Sequence, residues 1–414
     1  MHLLSLPRHQ IETTPSDYFG IVRTLTSRRD HSGAISSFER AFAEYVGCKH
    51  AIAISSGRLG IHLTLEQLAI EPNDEVIAPS FNLSAAIERF CQFGLVPRFC
   101  DVRPTDLTID PVNAQRLISN RTRILLATHM YGHPVDMDEI TSLAEKNNLV
   151  LIEDCAHALG TKWKNRCVGT FGKAAIFSFS VLKLVTTFGG GMIATNDDDL
   201  AGAIRLRLAR LRAFQPAPVG VKKAITGTIM DVGTGRLTFS FGAWPLLRMM
   251  RILKPNVQQA MMTESPKTDR NFDPATIPPL HPFQAKLGLS QLGKAEHLIE
   301  RRRRVGRWLD EQLGGIDGVD LFQPSGTGRH NGLYYGVLVD RPADLSAYLF
   351  KNGIDTETSE YQNCAELGIY GDHRTDCPVA HNIQSRILRL PNYPGMSRRD
   401  VRRISNTIRR FLKR

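Results

Sequence analysis

From residue 50 onward, short apolar segments alternate with segments that have the periodicity of amphipathic helices. The first pairs are HAIAIS with GRLGIHLTLEQLAI, EVIAPS with SAAIERFCQFG, and VPRFCDV with DPVNAQRLIS. The alternation continues through RILLATHM, DMDEITSLAEKNN and LVLIEDC to AAIFSFS and GMIATN. This pattern predicts an α/β fold with a largely parallel sheet that helices cover on both faces. Ligands of such sheets bind at the carboxyl ends of the strands.

The length and composition indicate a globular enzyme with two domains. A chain of 414 residues exceeds what one hydrophobic core organises. Its seven cysteines include no C-x-x-C pair, which favours reduced thiols over disulfides or a zinc site, and we expect no metal. The N-terminal stretch MHLLSLPRHQIETT lacks the long apolar region of a secretory signal, so a cytoplasmic location is predicted.

The net charge is +11, and basic residues are concentrated in RLRLARLR, in ERRRR and in the C-terminal SRRDVRRISNTIRRFLKR. All three stretches have helical patterns, for which solvated helix faces are the simplest interpretation. Attraction to an anionic substrate or to a membrane surface is the alternative. Nucleic acid is not an expected partner, because no binding motif accompanies the charge.

Three loops at the carboxyl ends of predicted strands carry chemically distinct groups. Gly57 in SSGRLG begins a helix whose free N–H groups suit a phosphate, although an ordinary helix cap is the alternative. Asp154 ends the strand LVLIED, where a carboxylate requires a cationic or hydrogen-bonded partner unless it lies at the surface. Lys183 lies between an apolar run and three glycines in FSFSVLKLVTTFGGGM, and is a candidate nucleophile unless it reaches solvent.

A phosphate-binding turn, a buried acid and a buried lysine together meet the requirements of pyridoxal 5'-phosphate. A lysine binds the cofactor aldehyde as a Schiff base, and an acid keeps the pyridine nitrogen protonated, so that the ring withdraws electrons. The sequence therefore predicts a pyridoxal phosphate site at this edge of the sheet.

The motifs and their order resemble the DegT/StrS family of pyridoxal phosphate-dependent sugar aminotransferases. The resemblance is carried by SGAISSFERAFAEYVGCKHAIAISSGR, LATHMYGHPVDMDEI, LIEDCAHALGTKW, GTFGKAAIFSFSVLK, GGGMIATND, HPFQAKLGLSQL, NGIDTE and LPNYPGMSRRDV. It implies the pyridoxal phosphate-dependent transferase fold of type I, with a mainly parallel seven-stranded sheet, helices on both faces and a smaller C-terminal α+β domain. It also implies a homodimer with active sites at the interface.

Three ring contacts follow from the resemblance. Lys183 resembles the Schiff-base lysine, because FSFSVLK stands in the place of the family's F-S-F-x-x-x-K. Asp154 resembles the aspartate under the pyridine nitrogen. His157 occupies a position that a glutamine usually holds near the ring and its phenolic oxygen.

The phosphate contacts are carried over in the same way. Ser178, five residues before the lysine, matches the phosphate-binding serine of the family. Arg58 and Leu59 follow Gly57, where the family often has threonine and alanine whose backbone amides hold the phosphate. The Arg58 side chain either adds a charged contact or points to solvent.

The sequence departs from the family pattern at three places. Leu83 in PSFNLS stands where the family commonly stacks an aromatic ring on the cofactor, and we expect it to pack there without the aromatic geometry. Phe188 and Gly189 replace the familiar glycine-glutamate pair. Residues 213–275 lack the usual G-Y-N-Y-R-like loop, through which a neighbouring subunit reaches the phosphate.

The insert at 213–275 contains the stretch TFSFGAWPLLRMMRILKP. One interpretation is a helical flap that packs on the dimer or the active site. The other is an interfacial helix at 236–255, which lies on a membrane surface and is too short and too charged to span a bilayer.

The predicted organisation is an N-terminal arm (1–30), a large α/β domain that binds pyridoxal phosphate (31–212), the insert (213–275) and a small C-terminal α+β domain (276–414). The resemblance implies transfer of an amino group from an amino acid, by family habit glutamate, to a nucleotide-linked keto sugar, in polysaccharide or antibiotic sugar biosynthesis. One alternative is a sugar dehydratase, against which Lys183 argues because such relatives typically have histidine there. The other is a non-catalytic or regulatory protein, which the departures at Leu83 and Phe188 favour.

Overall fold

The computed structural model describes residues 4–27, 33–212, 220–253, 272–323, 327–358, 360–371 and 375–414. Its α-helices in this part of the chain are α1 (Pro15–Thr26), α2 (Gly33–Val46), α3 (Gly57–Leu65), α4 (Ser84–Cys91), α5 (Pro111–Leu117), α6 (Met137–Lys146), α7 (Asp198–Arg212), α8 (Gly220–Thr234), α9 (Arg236–Thr238), α10 (Trp244–Leu253), α11 (Pro282–Leu292), α12 (Ala295–Leu313), α13 (Pro342–Lys351), α14 (Pro378–Arg386) and α15 (Arg398–Leu412). A π-helical segment, Phe239–Ala243, joins α9 to α10, and 3-10 turns cover Met130–Gly132, Pro274–Thr276, Cys364–Glu366 and Gly368–Tyr370.

The strands are β1 (His50–Ile54), β2 (Glu75–Pro79), β3 (Phe81–Asn82), β4 (Val96–Cys100), β5 (Thr122–Thr128), β6 (Val150–Asp154), β7 (Lys162–Trp163), β8 (Arg166–Cys167), β9 (Ala174–Ser178), β10 (Gly191–Thr195), β11 (Asp320–Leu321), β12 (Gly328–Arg329), β13 (Tyr335–Leu338), β14 (Glu357–Thr358), β15 (Gln362–Asn363) and β16 (Ile387–Leu390). Parts of all four predicted regions lie outside the described residues, namely 1–3 and 28–30 of the arm, 31–32 of the large domain, 213–219 and 254–271 of the insert, and 324–326, 359 and 372–374 of the small domain. All seven cysteines are free thiols.

The central sheet has seven strands in the order β1-β10-β9-β6-β5-β2-β4. The five strands from β9 to β4 run parallel, and β10 is antiparallel to both of its neighbours. Because side chains alternate along a strand, Leu125 and Ala127 of β5 enter one hydrophobic core while Ile124 and Leu126 enter another. The strand-helix alternation in the sequence therefore predicted the fold class correctly.

Several helices of the large domain begin at a polar residue that caps them. The Ser56 hydroxyl accepts the Leu59 N–H at 3.2 Å before α3, and the Asp136 carboxylate accepts the Glu139 N–H at 3.1 Å before α6. Such caps satisfy backbone N–H groups that have no partner within the helix. They fix where each loop ends and its helix begins.

A second sheet, in the order β11-β13-β16-β14, forms the small C-terminal domain together with α12, α13 and α15. Helix α11 instead packs against α1 and α2, and Leu280, Ala285 and Leu292 belong to the core of the large domain. The structure thus attaches α11 to the large domain, although the sequence predicted that the small domain begins at residue 276. Two short pairings, β12 with β7 and β15 with β3, also connect the domains.

Phe188, one of the departures from the family pattern, connects the insert to the large domain. Its side chain is buried in a cluster with Ile21, Ala224 and Phe283, and its backbone has a φ of 57°. A Cβ atom at Gly227 of α8 would lie 2.1 Å from Cγ and 2.6 Å from Cβ of Phe188. Helix α8 approaches the Phe188 ring this closely because residue 227 is glycine.

We expect Gly227→Ala to lower the melting temperature, because the new methyl group would overlap the base of the Phe188 side chain; overpacking of this kind costs about 1–3 kcal/mol. Gly202→Ala in α7 is the matched control, since nothing lies within 4 Å of the added Cβ. Replacing this helical glycine should stabilise the protein by about 0.5–1 kcal/mol. Equal melting temperatures of the two variants would contradict the proposed contact between α8 and Phe188.

Candidate active site

A cavity of 460 Å³ lies at the carboxyl ends of the central strands. All three loops that the sequence singled out contribute to its lining. The lining residues from these loops are Ser55, Ser56, Gly57, Arg58, Asp154, Ala156, His157, Ser178, Ser180, Val181, Leu182, Lys183, Gly189 and Gly190. The sheet topology therefore brings together groups that are up to 135 residues apart in the chain, from Ser55 to Gly190.

The turn into α3, where the sequence predicted phosphate contacts, faces the cavity. Gly57 and Arg58 line the cavity at the start of α3, where N–H groups and the helix dipole favour an anion. Ser178 faces the same cavity from the end of β9, and its Cβ lies 3.8 Å from a Cβ placed on Gly57. The predicted contact of Leu59 was its backbone amide, but this N–H donates to the Ser56 hydroxyl at 3.2 Å and caps the helix. Leu59 does not line the cavity, and its side chain is buried in the core behind α3.

Asp154 is the last residue of β6 and faces the cavity, while its neighbour Glu153 faces the opposite side of the sheet. One Asp154 carboxylate oxygen accepts the Ala156 N–H at 3.0 Å. Burial raises the pKa of Asp154, and the Ala156 N–H and the Lys183 ammonium oppose that rise. A protonated ring nitrogen would stabilise the ionised form of such a carboxylate, so Asp154 fits pyridoxal phosphate.

His157 is held in one tautomer by two hydrogen bonds. Its Nδ1 accepts the Tyr131 N–H at 3.3 Å, so the neutral ring carries its proton on Nε2, which lies 2.7 Å from the Tyr361 hydroxyl. Burial, and then the charges of Lys183 and Arg389, hold the pKa of His157 well below its usual range. The imidazole is therefore a neutral, rigidly held flat group on the cavity wall.

Lys183 lies in a compact loop between β9 and β10. The loop closes on itself through the N–H groups of Thr187 and Gly189, which donate to the Phe179 carbonyl at 3.0 and 3.1 Å. Gln284 of α11 donates to the carbonyls of Thr187 and Gly189 at 3.0 and 2.6 Å. The Lys183 ammonium lies 5.9 Å from the centre of the Tyr334 ring, within the range of a cation–π contact.

Leu83 lines the cavity as predicted, just before α4, and its N–H donates to the Asn82 side chain at 2.7 Å. The sequence reasoning missed other lining residues, namely Asn82, Thr128, Met230, Tyr334, Glu360 and Tyr361. Asn82 of β3 donates to the Thr128 hydroxyl at 3.0 Å, which connects β3 to the end of β5. The aromatic pair in NGLYYGVL was the available signal for Tyr334.

Within the described ranges, no helix has the combined length and hydrophobicity that crossing a bilayer requires. Met230 of α8 forms part of the cavity wall. The helical run 236–253 packs on the small domain, where Trp244 contacts Phe350 and Arg236 pairs with Asp400. In the described residues, the insert thus reaches the site through α8.

Comparison with known proteins identifies the family. The sequence profile of the DegT/DnrJ/EryC1/StrS aminotransferase family matches residues 24–225 and 274–409, and so omits most of the insert. The spore coat polysaccharide biosynthesis protein SpsC of Bacillus subtilis strain 168 is 29% identical over 391 residues, which cover 92% of this chain and 90% of SpsC. The GDP-perosamine synthase of Escherichia coli O157:H7 is 27% identical over 380 residues, which cover 91% and 90% of the two chains.

The solved structures support the same assignment. The crystal structure of DesV from S. venezuelae superposes with a TM-score of 0.74 at 25% identity, and the match covers 96% of this chain and 95% of DesV. The cavity has the lysine, the aspartate and the phosphate-binding turn that pyridoxal phosphate requires. The chain belongs to the DegT/DnrJ/EryC1/StrS aminotransferase family and is a pyridoxal phosphate-dependent sugar aminotransferase.

Proposed function

We propose that this protein transfers an amino group from an amino acid, with glutamate as the expected donor, to a keto sugar linked to a nucleoside diphosphate. The reaction would belong to the biosynthesis of a polysaccharide or of an antibiotic sugar. The observation that carries the proposal is the convergence of Lys183, Asp154, His157 and Ser178 on one cavity. The names of the relatives, GDP-perosamine synthase and a spore coat polysaccharide protein, support this substrate class.

The residues of the cavity divide into three groups by what they would hold. The N–H groups at Gly57 and Arg58, together with the Ser178 hydroxyl, would bind the cofactor phosphate. Asp154 would pair with the ring nitrogen, and His157 and Leu83 would contact the ring. When bound, pyridoxal phosphate supplies an aldehyde that accepts the amino group and a ring that withdraws electrons from the carbon that loses its proton.

Lys183 has two tasks in this proposal. It holds the cofactor covalently between turnovers, and its amine, once the amino donor has displaced it, takes the proton from the α-carbon of the donor. Asp154, as a carboxylate, would keep a proton on the ring nitrogen. The amino donor would leave as its keto acid. In the second half-reaction, the Lys183 amine would carry a proton to the sugar carbon that receives the amino group, and the carbonyl oxygen of that carbon would leave as water.

The position of Phe188 removes one reason for the regulatory alternative. This residue departs from the family pattern, but it is buried against α8 and is absent from the lining of the cavity. Packing of the insert against this side chain thus explains why a phenylalanine stands at position 188. This departure leaves the groups that hold the cofactor unchanged.

We also propose that the protein is a homodimer that acts in the cytoplasm and contacts a membrane surface through the insert. Helix α8 and the helical run 236–253 expose large apolar side chains to solvent. We call this set the outer apolar face, and it consists of Val221, Ile225, Ile229, Val232, Leu237, Phe241, Leu246 and Met249. The exposed Lys222 and Arg248 stand beside it, an arrangement suited to anionic lipid. Residues 254 and 255 of the predicted membrane segment lie outside the described residues.

We expect Lys183→Ala to fold and to bind pyridoxal phosphate through the phosphate contacts, but to lose the covalent link. Borohydride should fix the cofactor to the parent protein and not to this variant, and transamination should fall at least about a thousand-fold. Lys173→Ala, which alters an exposed lysine paired with Asp197, is the control and should retain both properties. A labelled peptide that contains a lysine other than Lys183 would refute the assignment.

Asp154→Asn should keep the covalent link, because the Lys183 amine is unchanged, yet slow removal of the donor α-proton. The neutral amide cannot hold a proton on the ring nitrogen by charge, so we expect kcat to fall about 100-fold or more. A deuterated α-carbon on glutamate should show a larger isotope effect in the variant than in the parent. An unchanged kcat would place Asp154 away from the ring nitrogen.

Phe241→Glu and Met249→Glu should each weaken binding to anionic vesicles at least about ten-fold, because each replaces an exposed apolar side chain of the outer apolar face with a charge. Val112→Glu alters an equally exposed side chain on α5 and is the control. Light scattering on the same variants measures the mass of the dimer, and so distinguishes a membrane-binding face from a dimer interface. A loss of dimer mass without any change in vesicle binding would assign the outer apolar face to the dimer.

A further inference from the structure

A second, smaller cavity lies on the small-domain side of Tyr334. It has a volume of 140 Å³ and lies between α12, His133 and His330. His133 follows the 3-10 turn at Met130–Gly132, and His330 follows β12. Its charged and titratable lining groups are His133, Arg303, Arg307, Asp310, His330, Tyr334 and Tyr335. We call this cavity the histidine-arginine cleft. Neither the proposed reaction nor the cofactor contacts use any of its histidines or arginines.

The two histidines of the cleft lie against each other without an acidic partner. Their ring centres are 5.3 Å apart at an interplanar angle of 45°. His133 is 8% exposed, and its buried Nδ1 has no hydrogen-bond partner among the described residues. Burial lowers the pKa of His133 to about 4, and burial together with His133, Arg303 and Arg307 lowers the pKa of His330 to about 3. At neutral pH both rings are uncharged hydrogen-bonding groups.

Arg303 and Arg307 supply positive charge to the cleft, whose lining contains one carboxylate, that of Asp310. Arg303 and Arg307 are four residues apart on α12, so their side chains emerge on the same face. Neither forms an ion pair within the part of the chain that the structure describes. Asp310, the acid of the cleft, accepts a hydrogen bond from the Tyr335 hydroxyl at 2.7 Å. Burial lowers the pKa of Arg303, as do the charges of Arg329 and Arg307, while Glu300 and Glu296 oppose the shift.

We propose that the histidine-arginine cleft binds a phosphate group. Guanidinium groups match the geometry and charge of phosphate oxygens, and a neutral imidazole donates a further hydrogen bond. The volume of the cavity, 140 Å³, accommodates a phosphate or a diphosphate. The bound anion would join His133, His330 and α12, and so would link segments of both domains beside Tyr334.

Two sources supply this chemistry, namely the diphosphate of a nucleotide-linked acceptor and free inorganic phosphate or pyrophosphate. The first source rests on the proposed function, since Tyr334 also lines the cofactor cavity. The second is independent of it. If the protein does not use a nucleotide-linked acceptor, the proposal of an anion site is therefore unaffected.

The test uses the full chain saturated with pyridoxal phosphate, so that the cofactor phosphate site is filled. Calorimetric titration with inorganic phosphate and with pyrophosphate should show saturable binding to the parent protein. Arg303→Gln and Arg307→Gln should each weaken it about ten-fold or more, because a hydrogen bond to a charged group is lost. Arg304→Gln, an exposed arginine on the same helix that does not line the cleft, is the matched control and should bind like the parent.

Titration with GDP and with UDP separates the two sources. If the acceptor diphosphate occupies the cleft, Arg307→Gln weakens nucleoside diphosphate binding, and pyrophosphate displaces the nucleotide from the parent. If free anions occupy it, pyrophosphate raises the melting temperature of the parent and not of Arg307→Gln, while nucleotide binding is unchanged. Absence of saturable anion binding by the parent, or equal weakening by Arg304→Gln, would overturn the proposal.

Discussion

The buried carboxylate of Glu153 fixes the end of the central sheet on which the active site depends. It accepts hydrogen bonds from the N–H groups of Gly169, Phe171 and Gly172 at 2.6, 2.8 and 2.8 Å. Its Oε2 atom also lies 3.2 Å from Nε2 of His129. Burial alone would raise its pKa, but the His129 contact and the backbone N–H groups hold the pKa of Glu153 below its usual range. An ionised carboxylate with these partners stabilises one arrangement of the surrounding loops, because any other arrangement leaves a buried charge unpaired.

The position of Asp154 follows from that constraint. Consecutive residues of a strand face opposite sides of the sheet, so anchoring Glu153 behind the sheet directs Asp154 into the cavity. The parallel pairing of β6 with β9 then places the Lys183 loop beside Asp154. The hydrogen bonds from Gln284 hold that loop against α11, which explains why α11 packs with the large domain.

The insert changes the surroundings of this site while leaving its centre intact. Phe188 and Gly227 bring α8 against the large domain, and Met230 of the same helix reaches the cavity wall. The opposite side of α8 carries exposed apolar residues, so one helix has a face that covers the site and a face without a partner in the described residues. Most of the insert that carries this exposed surface lies outside the residues that the family profile matches.

The sequence alone determined the fold class and the centre of the site. Strand-helix alternation specifies a parallel sheet because residue periodicity decides which backbone form buries apolar side chains. Lys183 and Asp154 were singled out because each stands at or after the carboxyl end of a predicted strand, whereas His157 and Ser178 were predicted from the family resemblance. The tertiary structure decided the rest. Tyr361 contacts His157 although 204 residues separate them, and the Leu59 N–H donates to Ser56 instead of facing the cavity. Such contacts depend on how separate elements pack, and no local pattern of residues encodes that packing.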